Sequence, residues 1–487
     1  MHGDLVNNLV VSIDDTEMEN ENDNNLSGMN TSSIQSGPST LTQPYNPNFE
    51  ITNSLIDLDM YVSGYTGLMR INRLVFLAEH CPSLRIDALK LALNYVQETY
   101  NTQLYISLHK QLSDAFNKQS QSSVSIPSYD SNWVETTNKK SALKLEKLDT
   151  DLKSAKSLSF KDCIRRGQED LADHFMDMGD LTNALKCYCR SRDYCANSKS
   201  IINLCQNVIR VSVFMQNWSN VLSYVTKVET TLEAMGFNGD NTSANKEDLS
   251  ALCKVKCAAG LAELNSKRYK SAAKCFLSAN FENFNYYEVI TPNNVAIYGT
   301  LCALATYDRR ELQTHVIQSS AFKSFLELEP QIRDILFKFN ESKYAICLKL
   351  MDQMKDHLLL DMHLSPHVNT LYAWIRHRAL RQYFNPYKSA DLNKMSLAFN
   401  TTTNALEEEL INLILDGQIQ ARIDSQNKIL YAKDVNQRSF TFEKSLEMGR
   451  EYQKRTKSVV LRSLLMKYNI SVKQINNQSQ QQQIQSS

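Results

Sequence analysis

Three segments of this chain follow one plan, and a repeated plan limits a fold more than any single motif. They are LADHFMDMGDLTNALKCYCRSRDYC (171–195), NVIRVSVFMQNWSNVLSYVTKVE (207–229) and GLAELNSKRYKSAAKCFLSA (260–279). Each has a stretch of helical periodicity, a short polar turn, a large anchor (Leu181, Trp218 or Tyr269) and a second helical stretch. Ala184, Val221 and Ala272 stand at the same offset from those anchors. One such hairpin cannot bury its apolar face alone, but stacked hairpins bury it against each other. The plan therefore predicts a tetratricopeptide-like solenoid whose leftover surface binds protein. The anchors lie 37 and then 51 residues apart, so the repeat is degenerate. Helix should follow helix from about 133 to 380, with GFNGDNTSANKED (236–248) as a loop inside the array. Only 13 Gly and 9 Pro occur, which agrees, since both interrupt helices.

A different pattern follows. PHVNTLYAWIRHRALRQYF predicts a helix ending at Asn385-Pro386, because the residue before proline is driven from the α region. Ser389 is placed to cap a short helix over ADLNKMSLAF, and Thr401 to Thr403 offer caps for NALEEELINLILDG. Leu406, Leu410, Leu413 and Ile414 make its inward stripe. Asp416-Gly417 turns the chain, Ile419, Ala421 and Ile423 alternate as a strand, SQN makes a hairpin turn, and KILYAKD returns. Helices followed by a hairpin predict a winged helix over 366–434.

The flanks read differently. Residues 1–54 are Asn/Ser/Thr-rich and acidic, and the first basic residue is Arg70, so a disordered acidic arm is expected. Residues 55–118 predict helices. In LMRINRLVFLAEHC the inward face is Leu68, Ile71, Leu74, Val75, Leu77 and Ala78, and Cys81-Pro82 stops the helix. A second helix starts in RIDALKLALNYVQET, and 119–132 is a polar linker. One long helix is predicted over 439–469. Its Phe442, Leu446, Val459, Val460, Leu464 and Leu465 have no home in a domain already complete, so a partner chain is expected to cover them. The Gln-rich tail, 471–487, is expected to be disordered.

Several chemistries lack their residues. Lys+Arg equals Asp+Glu at 53 each, whereas nucleic-acid binders usually carry a basic excess. A groove-reading third helix needs basic or amide side chains, and this one carries Glu407, Glu408 and Glu409 without Lys or Arg. Those acids fit the helix N-terminal dipole better than catalysis. IRHRALRQYFNPYK (375–388) is basic and aromatic, and reads as a solvated or interface face. Cys187, Cys189, Cys195 and Cys205 fit no zinc spacing and read as buried thiols. His363 and His367 are separated by Pro366 and read as an accidental pair. No P-loop, dinucleotide fingerprint or nucleophile elbow is present, so no catalytic residue, cofactor or metal is expected. Eleven scattered cysteines and the lack of a basic-flanked leader point to free thiols in the cytoplasm or nucleus. No run of about 18 apolar residues predicts a membrane span.

A helical-repeat array leading into a winged helix resembles the PCI family, which supplies subunits of the proteasome lid, the COP9 signalosome and translation initiation factor three. YVSGYTGLMRINRLVFLAEHCPSLRIDALKLALNYV (61–96) and FNTTTNALEEELINLILDGQIQARIDSQNKILYAKDVNQRSFTFEKSLEMG (399–449) are most similar to the family of signalosome subunit one. On this resemblance 133–265 are helical repeats, 266–434 the PCI unit with its last repeats, and 435–470 an assembly helix. It implies a non-catalytic scaffold. The complex removes a ubiquitin-like modifier from cullins, and so regulates cullin-RING ligases. The expected partners are other PCI subunits and a metalloprotease subunit, whose His-x-His pattern this chain lacks. Wing residues Ile419, Ala421, Ile423, Ile429 and Tyr431 would meet a neighbouring wing through a free strand edge. A proteasome-lid or initiation-factor subunit, or a nucleic-acid adaptor, remains the alternative.

Overall fold

The computed structural model describes residues 57–118, 128–235, 246–433 and 437–468. The acidic arm, most of the 119–132 linker, much of the 236–248 loop and the Gln-rich tail lie outside them. Lys246–Asp248, read as loop, open a helix instead, with Glu247 and Asp248 in its first turn.

Four helices begin the fold: α1 (Leu58–Ser63), α2 (Leu68–His80), α3 (Arg85–Gln97) and α4 (Thr102–Lys118). They close around a small core of their own, including Leu74, Leu89, Ala92, Val96, Leu108 and Leu112. α2 ends at Cys81 as expected. α5 (Ser131–Leu158) leads into the array, whose hairpins are α6 (Lys161–Met178) with α7 (Leu181–Ser191), α8 (Ser198–Phe214) with α9 (Trp218–Ala234), and α10 (Lys246–Asn265) with α11 (Tyr269–Leu277). Each anchor is the first residue of the second helix. Ala184, Val221 and Ala272, one turn later, are fully buried.

The turns of these hairpins share one backbone device. Gly179, Gln216 and Lys267 take positive φ. The next amide donates back to the helix just ended: Asp180 N–H to Phe175 O, Asn217 to Ser212 and Arg268 to Glu263, each at 2.9 Å. This is the Schellman closure, which satisfies carbonyls a helix end would orphan.

The chain continues through α12 (Pro292–Thr306), buried on every side from Asn294 to Ala305, then α13 (Arg309–Leu312), a π turn at Gln313–Ile317 and α14 (Ser320–Leu328). α15 (Pro330–Asn340) and α16 (Tyr344–Leu359) form a fourth hairpin that sequence reading missed. It repeats the same turn, with Ser342 at φ 62° and Lys343 N–H donating to Lys338 O at 3.0 Å. α17 (Val368–Phe384) opens the winged helix, which continues through β1 (Ser389–Asp391), α18 (Leu392–Ala398), α19 (Thr403–Leu415), β2 (Ala421–Asp424) and β3 (Ile429–Ala432). α20 (Gln437–Lys467) ends the described chain.

The sheet order is β1-β3-β2, antiparallel throughout. Ser389 therefore sits in a strand, and Asp391 caps α18 by accepting from Asn393 N–H at 2.8 Å. Thr402 caps α19, within the expected trio. One apolar core runs without a break from Ile202 through Phe276 and Tyr298 to Leu392, Leu410 and Leu430. Repeat array and winged helix are thus packed as one body, because the wing's inward face has no other core to join.

Candidate protein-interaction surfaces

The loop between α16 and α17 fastens the array. Asp361 accepts from Arg73 Nη1 at 2.8 Å and from Tyr298 Oη at 2.5 Å, tying α2 to α12. Arg73 also donates to Tyr61 Oη at 3.0 Å and lies over the Tyr65 ring, 4.2 Å from its centre. Burial pushes the Asp361 carboxyl up, but Arg73, His363 and Tyr298 together outweigh it and hold the pKa at about 2. His363 and His367, read as an accidental pair, meet two of the hairpin anchors. His363 packs edge-on to Trp218, and His367 Nδ1 lies 3.2 Å from Tyr269 Oη. Burial, reinforced by nearby Arg73 or Lys267, lowers both imidazoles to about 4, so they are neutral. Neutral, well-packed imidazoles set in a loop are structural groups.

The basic stretch of α17 is not the solvated face its charges implied. Ile375, Ala379 and Leu380 are core residues. Arg378 is buried and donates to Asp308 Oδ1 at 2.6 Å. Arg376 Nε donates to Glu409 at 2.9 Å, and Lys428 Nζ to Glu407 at 2.8 Å. Glu407 and Glu409 are therefore held by ion pairs, past the first helical turn, rather than by the helix N-terminus, and Glu408 is exposed. Of the four thiols read as buried, Cys187 and Cys205 are; Cys195 is half-buried and Cys189 exposed.

The wing residues divide. Ile419 and Ala421, 4% and 6% exposed, pack into the chain's own core and have no side chain to offer a partner. Ile423 and Ile429 are half-buried, and Tyr431 is 43% exposed. Leu430, not Ile429, is the buried residue of β3. β3 is central: Ile429 stands opposite Asp391 on one side and Asp424 on the other. The strand edges without a partner in this sheet belong to β1 and β2. β1, a strand of three residues without apolar alternation, gave sequence reading no signal.

α20 is different in kind. Among its residues from Arg438 to Lys467 none is buried, and only Leu465 is half-buried. Phe442, Leu446, Val459, Val460 and Leu464 are 64%, 47%, 66%, 53% and 45% exposed. The structure adds Met448, Tyr452 and Met466 to the exposed apolar set. Helical spacing puts Phe442, Leu446, Val460 and Leu464 in one line, and Met448, Tyr452, Val459 and Met466 in another. Ser445, Gly449, Thr456 and Ser463 run between the lines. Most charged residues lie on the opposite side, interrupted there by Phe440, Leu461 and Leu465. Two apolar lines separated by small residues can receive two helices at once. A monomer rarely leaves so large an apolar surface in water. Among the described residues no helix is long and apolar enough to cross a membrane.

Comparison with known proteins follows the same divisions. The profile described as 26S proteasome subunit RPN7 matches residues 130–315, the PCI domain matches 350–434, and "COP9 signalosome complex subunit 1, C-terminal helix" matches 437–463. The chain is 50% identical to COP9 signalosome complex subunit 1b of Drosophila melanogaster, over 88% of each chain. It is 41% identical to COP9 signalosome complex subunit 1 of Arabidopsis thaliana, over 86% of this chain and 91% of that one. It is 25% identical to 26S proteasome non-ATPase regulatory subunit 6 of Caenorhabditis elegans, over 61% of this chain and 70% of the other.

Proposed function

The chain belongs to the family of COP9 signalosome complex subunit 1, and from that membership we propose that it is a non-catalytic scaffold of the complex that removes a ubiquitin-like modifier from cullins. Its action is positional. The winged helix meets other PCI subunits through the outer edge of β2 and Tyr431, since an unpaired edge can accept a strand. α20 enters a bundle of helices from those subunits. The assembled body holds the metalloprotease subunit near its cullin-RING ligase substrate, in cytoplasm and nucleus.

The observation that carries this reading is the exposure of α20. Its two apolar lines, all but Leu464 and Met466, fall within the stretch matched to the family's C-terminal helix, and a bundle would cover both. Nucleic-acid reading is disfavoured by the third helix itself: it carries Glu407 and Glu409, paired with Lys428 and Arg376, and no Lys or Arg of its own for a phosphate.

The test is a pull-down of the tagged full chain from its own cells at physiological salt, with partners identified by mass spectrometry. The expected set is several PCI subunits with one metalloprotease subunit and cullin-modifier cleavage in the eluate. A proteasome lid or an initiation-factor set would replace this reading with its architectural relatives. Salt-sensitive co-purification of nucleic acid alone would support the adaptor.

A further inference from the structure

Where α1 meets the central helices, a groove of about 900 Å³ opens that belongs to neither the wing nor α20. α1, the start of α12, the α14–α15 junction and α16 form its walls. Its rim is apolar and open to solvent: Met60 is 73% exposed, and Tyr287 and Leu328 are 41% exposed. Among the described residues its fixed charges are all negative: Asp57, Glu329 and Asp356 line it with the imidazole of His357, and no Lys or Arg does. None of the three carboxylates is in an ion pair with a described residue. Glu329 accepts from Asn293 Nδ2 at 2.8 Å, and burial raises its pKa further than Asn293 and His357 lower it.

We propose that this groove binds an extended segment of another protein, one that presents a Lys or Arg between apolar side chains. The apolar rim supplies contact area, and the uncompensated carboxylates supply the selection for a cation. Nucleic acid and anionic membrane are excluded by the same carboxylates. The chain's own residues 42–56 lead directly to Asp57, but they contain Glu50 and no basic residue, so they cannot supply the missing charge. A Lys or Arg reaching Glu329 would also lower its pKa and reverse the effect of burial.

The test places a photo-crosslinking amino acid at Met60 and, separately, at Tyr287 of the full chain in its own cells, and sequences the adducts. A control crosslinker replaces Leu143, exposed on α5. The expected adduct is a partner segment with a cation flanked by apolar residues, and its yield falls about tenfold in Glu329→Gln/Asp356→Asn. Met60→Lys, tested with the crosslinker at Tyr287, should suppress it similarly, by supplying the cation from a site that touches no core. Complex mass should be unchanged in these variants, which separates this inference from the scaffold reading. Adducts within 42–56, to a second copy of this chain, to an acidic segment, or at no more than the Leu143 yield would overturn it. So would a yield unaffected by both variants.

Discussion

At the scale of single residues, the most consequential is Arg73, 1% exposed in α2 although it stands outside the inward face read as Leu68, Ile71, Leu74, Val75, Leu77 and Ala78. Its position was legible: Met69, Arg73 and Leu77 are four residues apart and share a face. Its partner was not, because Asp361 lies 288 residues downstream and only the assembled fold joins them. Removing one member of a buried pair leaves the other charged and unpaired. Arg73→Met should therefore cost about 3–5 kcal/mol, read from the urea midpoint, and Arg73→Met/Asp361→Asn should recover part of that. Equal losses in the single and double variants would deny the coupling. Gly260 makes a second residue-scale prediction. Alanine in a helix interior usually stabilises relative to glycine by up to about 1 kcal/mol. Here a Cβ would stand 2.6 Å from the Phe276 ring, which is itself fully buried. Overpacking should win, and Gly260→Ala should destabilise by about 1–3 kcal/mol. Acid acts on the same fastening loop. His363 and His367 have folded pKa values near 4, below the unfolded value of about 6.5. The unfolded chain then binds more protons, so stability is full above about pH 6.5 and falls toward pH 4, by on the order of 2 kcal/mol per histidine. Asp361, held at about 2, adds a further loss from about pH 4 down to 2. His363→Gln should flatten the upper window in a series of unfolding midpoints. A midpoint already flat between pH 7 and 4 in the unaltered chain would contradict this.

At the scale of elements, the hairpins were readable because anchor, turn and small residue sit close together in sequence. The fourth pair obeyed the same grammar, with Tyr344 as anchor and buried Cys347 at the same offset, and was overlooked where the periodicity merged with its neighbours. The wing was legible as a hairpin but not as a three-stranded sheet. β1 pairs with a strand about forty residues away and has no period of its own. That missing strand moved the free edge: with β1 present, β3 is enclosed and only β2 and β1 remain open. α20 yields the element-scale prediction. Phe442→Asp/Leu464→Asp changes residues that touch no core, so the unfolding midpoint should move within about 0.5 kcal/mol. Complex assembly should nonetheless be lost. Normal assembly by that variant would remove α20 from the interface.

At the scale of the molecule, the continuous core from Ile202 to Leu430 explains why the wing can act as part of a rigid arm. The sequence showed the order of the parts, and physical pattern alone showed that the last helix had nowhere to pack. What it could not show was the keystone: one short loop, 361–367, gathers α2, α12 and two hairpin anchors. On the proposed scaffold reading, such a body supplies position rather than chemistry. On the proposed function this body joins its complex through α20. The most direct measurement is native mass spectrometry of the tagged full chain and of a 436–487 deletion, each purified from its own cells. The full chain should give a multi-subunit mass containing a metalloprotease subunit, and the deletion a folded chain outside that complex. The same multi-subunit mass for both would contradict that role of α20.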